Sequence, residues 1–163
     1  QGYVRCKGKI ASMLSIVNSL EADFTGVENV FFLGAGMGFG KHEITKKLNQ
    51  ILNFSEIGEF KDTPVKRYSV GMRIRLSFSI CLNLNNDIIL ADEVLTVADS
   101  YFQNKCIKFL KSIIKKKQKI IFFVSHDRNL NLKICDKGVI LKNGNLSEIY
   151  DIKKAYNYYD NIK

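Results

Sequence analysis

The run Tyr68-Ser69-Val70-Gly71-Met72 opens a helical pattern, and its residue types suit an anion. Ser69 can cap the helix by accepting from first-turn N–H groups. Gly71 lets backbone come close to a ligand. Unpaired N–H groups and the helix dipole together favour a negatively charged group at such an end. Farther along, Ile88-Ile89-Leu90-Ala91 is an apolar run that ends in Asp92 and Glu93. At the C-terminal end of a strand, Asp92 can hold a hydrated Mg²⁺ and Glu93 can orient an attacking water. Adjacent carboxylates differ in direction, so one metal and one water can be served separately. Asp99 lies seven residues after Asp92, just before the next helical pattern, where it can act as an N-cap. Phe122-Phe123-Val124 is an apolar run that passes into Ser125-His126-Asp127. His126 can donate a hydrogen bond to a phosphate at the same sheet edge as Asp92. Taken singly, these groups also read as a capped helix, a solvated acidic loop, an N-cap and a strand-end histidine.

Two strands and two helices must position these residues. Residues 87–91 and 119–124 read as buried strands, being short apolar runs with polar bounds. Residues 69–84 form an amphipathic helix with Met72, Leu76, Ser79 and Ile80 on one side, and residues 100–117 form the helix between the two strands. Strand–helix–strand alternation over 87–124 predicts a parallel sheet with a crossover helix, hence an α/β fold. Upstream, residues 4–16 read as a strand region around a turn at Gly8, and the segment that follows is mostly helical. Thr25 and Glu28 have the spacing of a capping box, starting a helix through Phe31 and Phe32. Residues 42–53 have helical spacing, and residues 54–67 are turn-like around Pro64. Downstream, residues 127–135 form a short helix. Residues 138–142 and 145–149 flank Asn143-Gly144, a hairpin signal. Residues 153–159 form a last helix. There is no internal repeat.

The stretch Gly34-Ala-Gly-Met-Gly-Phe-Gly40-Lys41 imitates a phosphate loop without being one. That loop needs G-x-x-x-x-G-K-S/T. The position five before Gly40 is Ala35, and His42 follows Lys41, so the spacing fails and no hydroxyl is in place for Mg²⁺. A helix rather than a strand precedes it. The G-x-G-x-x-G dinucleotide pattern fails as well. The stretch is expected to connect two helices.

With 163 residues, 46% hydrophobic and 25% charged, the chain has globular composition and is one ordinary domain or a piece of one. One Pro and 11 Gly exclude a linker-rich architecture. Apolar runs such as Ile120 to Val124 fall far short of the roughly 20 residues that span a bilayer. The net charge of +9 is compatible with nucleic acid, an anionic membrane surface, nucleotide phosphates or a solvated lysine-rich face. Lys115-Lys116-Lys117 ends a helical pattern, where cations meet the helix dipole favourably. Four cysteines, Cys6, Cys81, Cys106 and Cys135, form no C-x-x-C pair and read as reduced, three of them as small buried hydrophobes. His42 and His126 are too distant in sequence to suggest a local metal site.

In this order the four groups closely resemble the ATP-binding subunit of ABC transporters, over nearly the whole chain. The resemblance is to the exporters of lipid-linked surface polysaccharides, the O-antigen and teichoic-acid class. Those carry YS-x-GM where other members carry LSGGQ, and this chain has YSVGM. Thr25-Gly26-Val27-Glu28-Asn29 matches their T-G-x-E-N helix start, and Asp92 to Asp99 matches their D-E-V-L-x-V-x-D tail of the Walker B motif. Phe102-Gln103 and Lys105-Cys106 fit the same subfamily. Val124-Ser125-His126-Asp127 fits the H-switch, and Asn143-Gly144 the turn after it. The resemblance implies a partial P-loop NTPase fold, a parallel sheet core with an α-helical subdomain. Residues from about 20 to 86 would form the helical subdomain with the signature motif, and about 87 to 163 the catalytic core. It implies ATP and Mg²⁺ as cofactors. Ser69, Val70, Gly71 and Met72 would form the signature contact with the γ-phosphate of an ATP held by the opposite subunit. Asp92 would bind Mg²⁺ through water, Glu93 would be the general base, and His126 would contact the γ-phosphate. Asp99 would be the D-loop residue reaching across a head-to-tail dimer. The implied partners are a membrane permease subunit, met by the segment around residues 25–67, and a second copy of the complete domain, with no nucleic acid. The implied location is the cytoplasmic face of the cell membrane.

The chain departs from the family in lacking a Walker A motif and the adenine-stacking aromatic, and no Q-loop glutamine occurs between residues 14 and 24. The expectation is therefore the C-terminal part of a nucleotide-binding domain, inactive by itself, with no room for a C-terminal carbohydrate-binding domain. In such a sheet the strand ending at His126 lies between the Walker A and Walker B strands, so residues 119–124 are expected to form an apolar edge. The competing readings are a soluble ATPase of this class acting on nucleic acid or ribosomes, and a non-catalytic interaction fragment.

Overall fold

The structure is a computed structural model. It describes residues 3, 5–13, 16–92, 99–115 and 119–161, without the side chains of residues 17 and 92. The chain divides into two compact units, Gln1–Phe122 and Phe123–Lys163.

The first unit holds the start of a three-stranded sheet in the order β1 (Ile10–Ser12), β2 (Ile88–Asp92), β3 (Ile120–Val124). β1 and β2 run parallel, with Ile10 opposite Ile88 and Ser12 opposite Leu90. The Met13 N–H extends this ladder to the Leu90 carbonyl at 2.8 Å. β2 is central, and Ile88, Ile89 and Ala91 are buried, as a continuous apolar run in a parallel sheet requires. β3 joins at the Ile120 N–H, which donates to the Asp87 carbonyl at 2.9 Å.

The expectation of a second buried strand is overturned at β3. Its residues alternate, leaving Ile120 58% and Phe122 61% exposed. The cause is its place: the sheet ends at β3 among the described residues, and one of its faces is left open. Apolar composition reports that a strand is able to be covered, not that it is. The expectation of an apolar edge holds.

Among the described residues four α-helices accompany the sheet in this unit: α1 (Gly26–Gly36), α2 (Lys41–Ser55), α3 (Val70–Asn83) and α4 (Ser100–Lys115). α1 starts on the expected capping box. Thr25 Oγ1 accepts from the Glu28 N–H at 3.1 Å, and the Glu28 carboxylate accepts from the Thr25 N–H at 2.8 Å. α2 starts on half of one, the Glu43 carboxylate accepting from the Gly40 N–H at 2.9 Å. Only residues 37–40 of the stretch expected to connect two helices do so, because α1 runs on through Gly36 and α2 already begins at Lys41. Two 3-10 turns, Gly58–Asp62 and Val65–Arg67, fill the stretch read as turn-like. The buried side chains of Ile44, Ile51, Leu76, Phe78 and Phe102 form part of the core. Lys105 clamps α4 to the end of α2: its ammonium donates to the Phe54 carbonyl at 2.9 Å and pairs with Glu56.

The second unit carries α5 (Arg128–Ile134), then β4 (Lys137–Gly138), β5 (Leu141–Lys142), β6 (Asn145–Leu146), β7 (Tyr150–Asp151) and α6 (Ile152–Asn161). β5 and β6 form the expected hairpin, with Asn143 at φ 51° and Gly144 at φ 78°. Two successive left-handed residues make the type I′ turn that matches strand twist. β4 pairs antiparallel with β7. Asn131 ties α5 to α6 by donating to the Tyr156 hydroxyl at 2.7 Å.

Candidate functional site

The amino end of α3 is a capped helix start. Ser69 is its N-cap, in extended backbone conformation, and its Oγ accepts from the Met72 N–H at 3.2 Å. Ser69, Val70 and Gly71 are exposed, and Met72 is half-buried. Among the described residues a Cβ at Gly71 would meet nothing nearer than Ser69 Oγ at 3.9 Å, so no described neighbour demands a glycine here. Its lack of a side chain keeps the first turn of α3 open to approach from outside.

The turn before this end is anchored by residues the motif reading left without a role. Tyr68 is buried, and its hydroxyl donates to the Phe60 carbonyl at 2.6 Å. Burial pushes the phenol up to about 12, so it stays a protonated donor. A Cβ on Gly26 would lie 2.4 Å from that hydroxyl, so the glycine of Thr25-Gly26-Val27-Glu28-Asn29 is what admits the ring. Asn29 of the same run is fully buried. Its amide donates to the carbonyls of Glu21, Phe24 and Thr25, and its oxygen accepts from the Glu21 N–H at 2.7 Å. The two sequence motifs are therefore one packed unit. The signal was present in the sequence as a Gly and an Asn beside a capping box; Asn29 bonds back within eight residues, but the partner of Gly26 is Tyr68, too far along the chain for spacing to reveal it.

Asp92 is the last residue of β2, with its side chain outside the described residues. Glu93 also lies outside them. Asp99 caps α4, its carboxylate accepting from the Phe102 N–H at 2.9 Å. His126 is exposed in the second unit, one residue before Asp127, which caps α5 through the N–H groups of Asn129 and Leu130. Ser69 to Met72 are thus brought together on one helix end. Asp92 and Asp99 bracket residues 93–98 from the strand side and the helix side. Among the described residues no three His, Cys, Asp or Glu side chains cluster as a metal site. No described helix is long and apolar enough to cross a membrane. A polar cleft of about 210 Å³ in the first unit is lined by Asn18, Leu20, Ala22, Val65, Lys66 and Arg73.

Burial pushes the Cys106 thiol up to about 12 and raises Cys81 and Cys135 as well, so these three are poor nucleophiles. Cys6 alone among the four is exposed.

No family model matches the chain. It is 38% identical over 159 residues to the O-antigen export system ATP-binding protein RfbB of Klebsiella pneumoniae, covering 98% of this chain and 64% of that protein. It is 40% identical over 149 residues to the teichoic acids export ATP-binding protein TagH of Staphylococcus epidermidis, covering 91% of this chain and 56% of that protein. Its fold is similar to that of the ATP-binding cassette MJ0796, solved as a dimer in a post-hydrolysis state bound to ADP and Pi. There the TM-score is 0.70 at 25% identity, over 88% of this chain and 63% of that one. The chain spans less than two thirds of the length of the curated relatives it matches.

Proposed function

We propose that the chain, on its similarity to polysaccharide-export ATP-binding proteins, belongs to the ATP-binding cassette family and is part of an ATP-hydrolysing subunit driving export of a lipid-linked surface polysaccharide. The observation that carries the reading is the amino end of α3, where an exposed cap and an open first turn await a group from outside. Such an end suits phosphate oxygens in both charge and donor geometry. In this reading the Ser69 hydroxyl and the backbone of Val70 and Gly71 meet the γ-phosphate of an ATP held by the opposite subunit. Met72 serves by holding the Ser69 hydroxyl in place through its own N–H.

The remaining assignments follow the same reading. A carboxylate at the C-terminal end of a central parallel strand suits a hard cation, so Asp92 would hold Mg²⁺ through water. The cation, when bound, supplies neutralisation of the charge developing on the phosphates. Glu93 would take the proton of the attacking water, and His126 would donate a hydrogen bond to the γ-phosphate. Asp99, fixed at the start of α4, would reach across the dimer. Residues from about 20 to 86 would form the helical subdomain and those from about 87 to 163 the catalytic core. A permease subunit would meet the segment around residues 25–67, at the inner face of the membrane.

The test uses the full-length subunit with its permease in lipid vesicles. ATP hydrolysis is expected to fall by about 100-fold or more on Glu93→Gln, the loss of a general base. Normal turnover in that variant would remove the base assignment, and no turnover in the unsubstituted subunit would remove the ATPase reading.

A further inference from the structure

Two segments far apart in sequence, around residues 22–25 and 60–68, are stitched together before α3 begins. The Val65 N–H donates to the Phe24 carbonyl at 2.9 Å, and the Lys66 N–H to the Ala22 carbonyl at 2.8 Å. Thr25 and Pro64 form an antiparallel bridge, and the Lys66 ammonium pairs with Asp23 at 2.7 Å. Asn29 grips the 21–25 side of this seam from behind. The seam closes on Tyr68, whose side chain stands over Gly26 and bonds to Phe60. The next residue in the chain is Ser69, the cap of α3.

A tyrosine buried to 4% exposure with its hydroxyl on a carbonyl has no proton to give to a reaction. Its effect is mechanical. The Tyr68 N–H is also engaged, donating to the Val65 carbonyl at 2.9 Å, so backbone and ring are both fixed immediately before the cap. A shift of the ring therefore carries Ser69 with it.

We propose that Tyr68 is a positioning residue that locks the amino end of α3 to the 22–26 segment, so that Ser69 and the first turn of α3 hold their place only while the seam is closed. Its consequence for turnover rests on the ATPase reading above; its consequence for local order does not. With the seam loosened, the phosphate-facing end of α3 is populated in its working geometry for a smaller fraction of the time.

Hydrogen exchange on the full-length subunit tests this with Tyr68→Phe, which removes only the hydroxyl. The amides of Val65, Lys66 and Met72 are expected to exchange roughly five- to tenfold faster, while those of α4 keep their rates. Gly26→Ala pushes the same hydroxyl from the other side and is expected to give the same pattern. The double variant is expected to be milder than the sum, because the nearest clashing atom is gone. In ATP turnover, kcat is expected to fall several-fold in Tyr68→Phe with KM for ATP unchanged. A Met72 amide that exchanges at the original rate in both single variants would overturn the inference, as would an unaltered kcat in Tyr68→Phe. If the unsubstituted subunit shows no turnover, the ATPase reading fails and the Met72 exchange rate still decides for or against Tyr68.

Discussion

Asn29 shows how much one buried amide can organise. It is fully buried on α1 and uses both its donor and its acceptor on the loop at residues 21–25. Its loss would orphan the Glu21 N–H and take a side-chain donor from three carbonyls, each of which keeps a backbone donor. Each buried bond contributes about 1 kcal/mol, and each orphaned group costs about 1–3 kcal/mol. Asn29→Ala in the full-length subunit is therefore expected to lower unfolding stability by roughly 2–4 kcal/mol, read as a lower urea midpoint at unchanged m-value. A loss below about 0.5 kcal/mol would mean that the loop is held by the Val65 and Lys66 amides alone. Asn29→Asp keeps the acceptor, removes the donors and buries a charge. It is expected to be worse than alanine.

At the scale of elements, the starts of α1 and α2 depend on ionised carboxylates. The Thr25 N–H and hydroxyl hold the Glu28 carboxyl below its ordinary value of 4.5. The Gly40 N–H and the Lys9 ammonium do the same for Glu43. A carboxyl lowered in the folded state stabilises the fold above its unfolded value and loses that contribution as pH falls through the folded one. Stability is therefore expected to decline as pH drops below about 4.5, and to decline less steeply in a Glu28→Gln, Glu43→Gln double variant. Denaturant midpoints measured across that range check this; parallel profiles would show that other carboxylates dominate. The start of α1 was legible because a capping box is a local pattern, Thr25 to Glu28, as were the Ser69 cap and the Asn143-Gly144 turn; the Glu43 bond to Gly40 was not read. The seam between Tyr68 and Gly26 was not, since its partners are some forty residues apart and no period links them. The exposure of β3 was only half legible: its apolar run gave the strand, but whether a face is covered depends on what packs on it. Of the candidate site, the capping geometry of Ser69 and Asp99 was readable residue by residue, because helix caps are written in the cap residue itself.

For the molecule as a whole, two forces act against each other. The net charge of +9 drives copies of the chain apart. The open side of β3, with Ile120 and Phe122 exposed at the end of the sheet, draws them together through unpaired backbone and apolar surface. Charge repulsion acts over the Debye length, which shrinks from about 30 Å at 0.01 M salt to about 8 Å at 0.15 M. Contact between apolar strands is not weakened in this way. The 163-residue chain is therefore expected to disperse best at low salt and to self-associate as salt rises. Phe122→Lys removes apolar area from the open face and adds a charge where an approaching strand would lie, so it is expected to suppress the salt-induced association. Light scattering across a salt series, on the original chain and on Phe122→Lys, separates the two forces. A chain that stays monodisperse at every salt concentration and melts in one sharp cooperative step would show that the edge is harmless. Association that persists unchanged in Phe122→Lys would place the sticky surface elsewhere, with the exposed Leu141, Leu146 and Ile149 of the second unit the next to substitute.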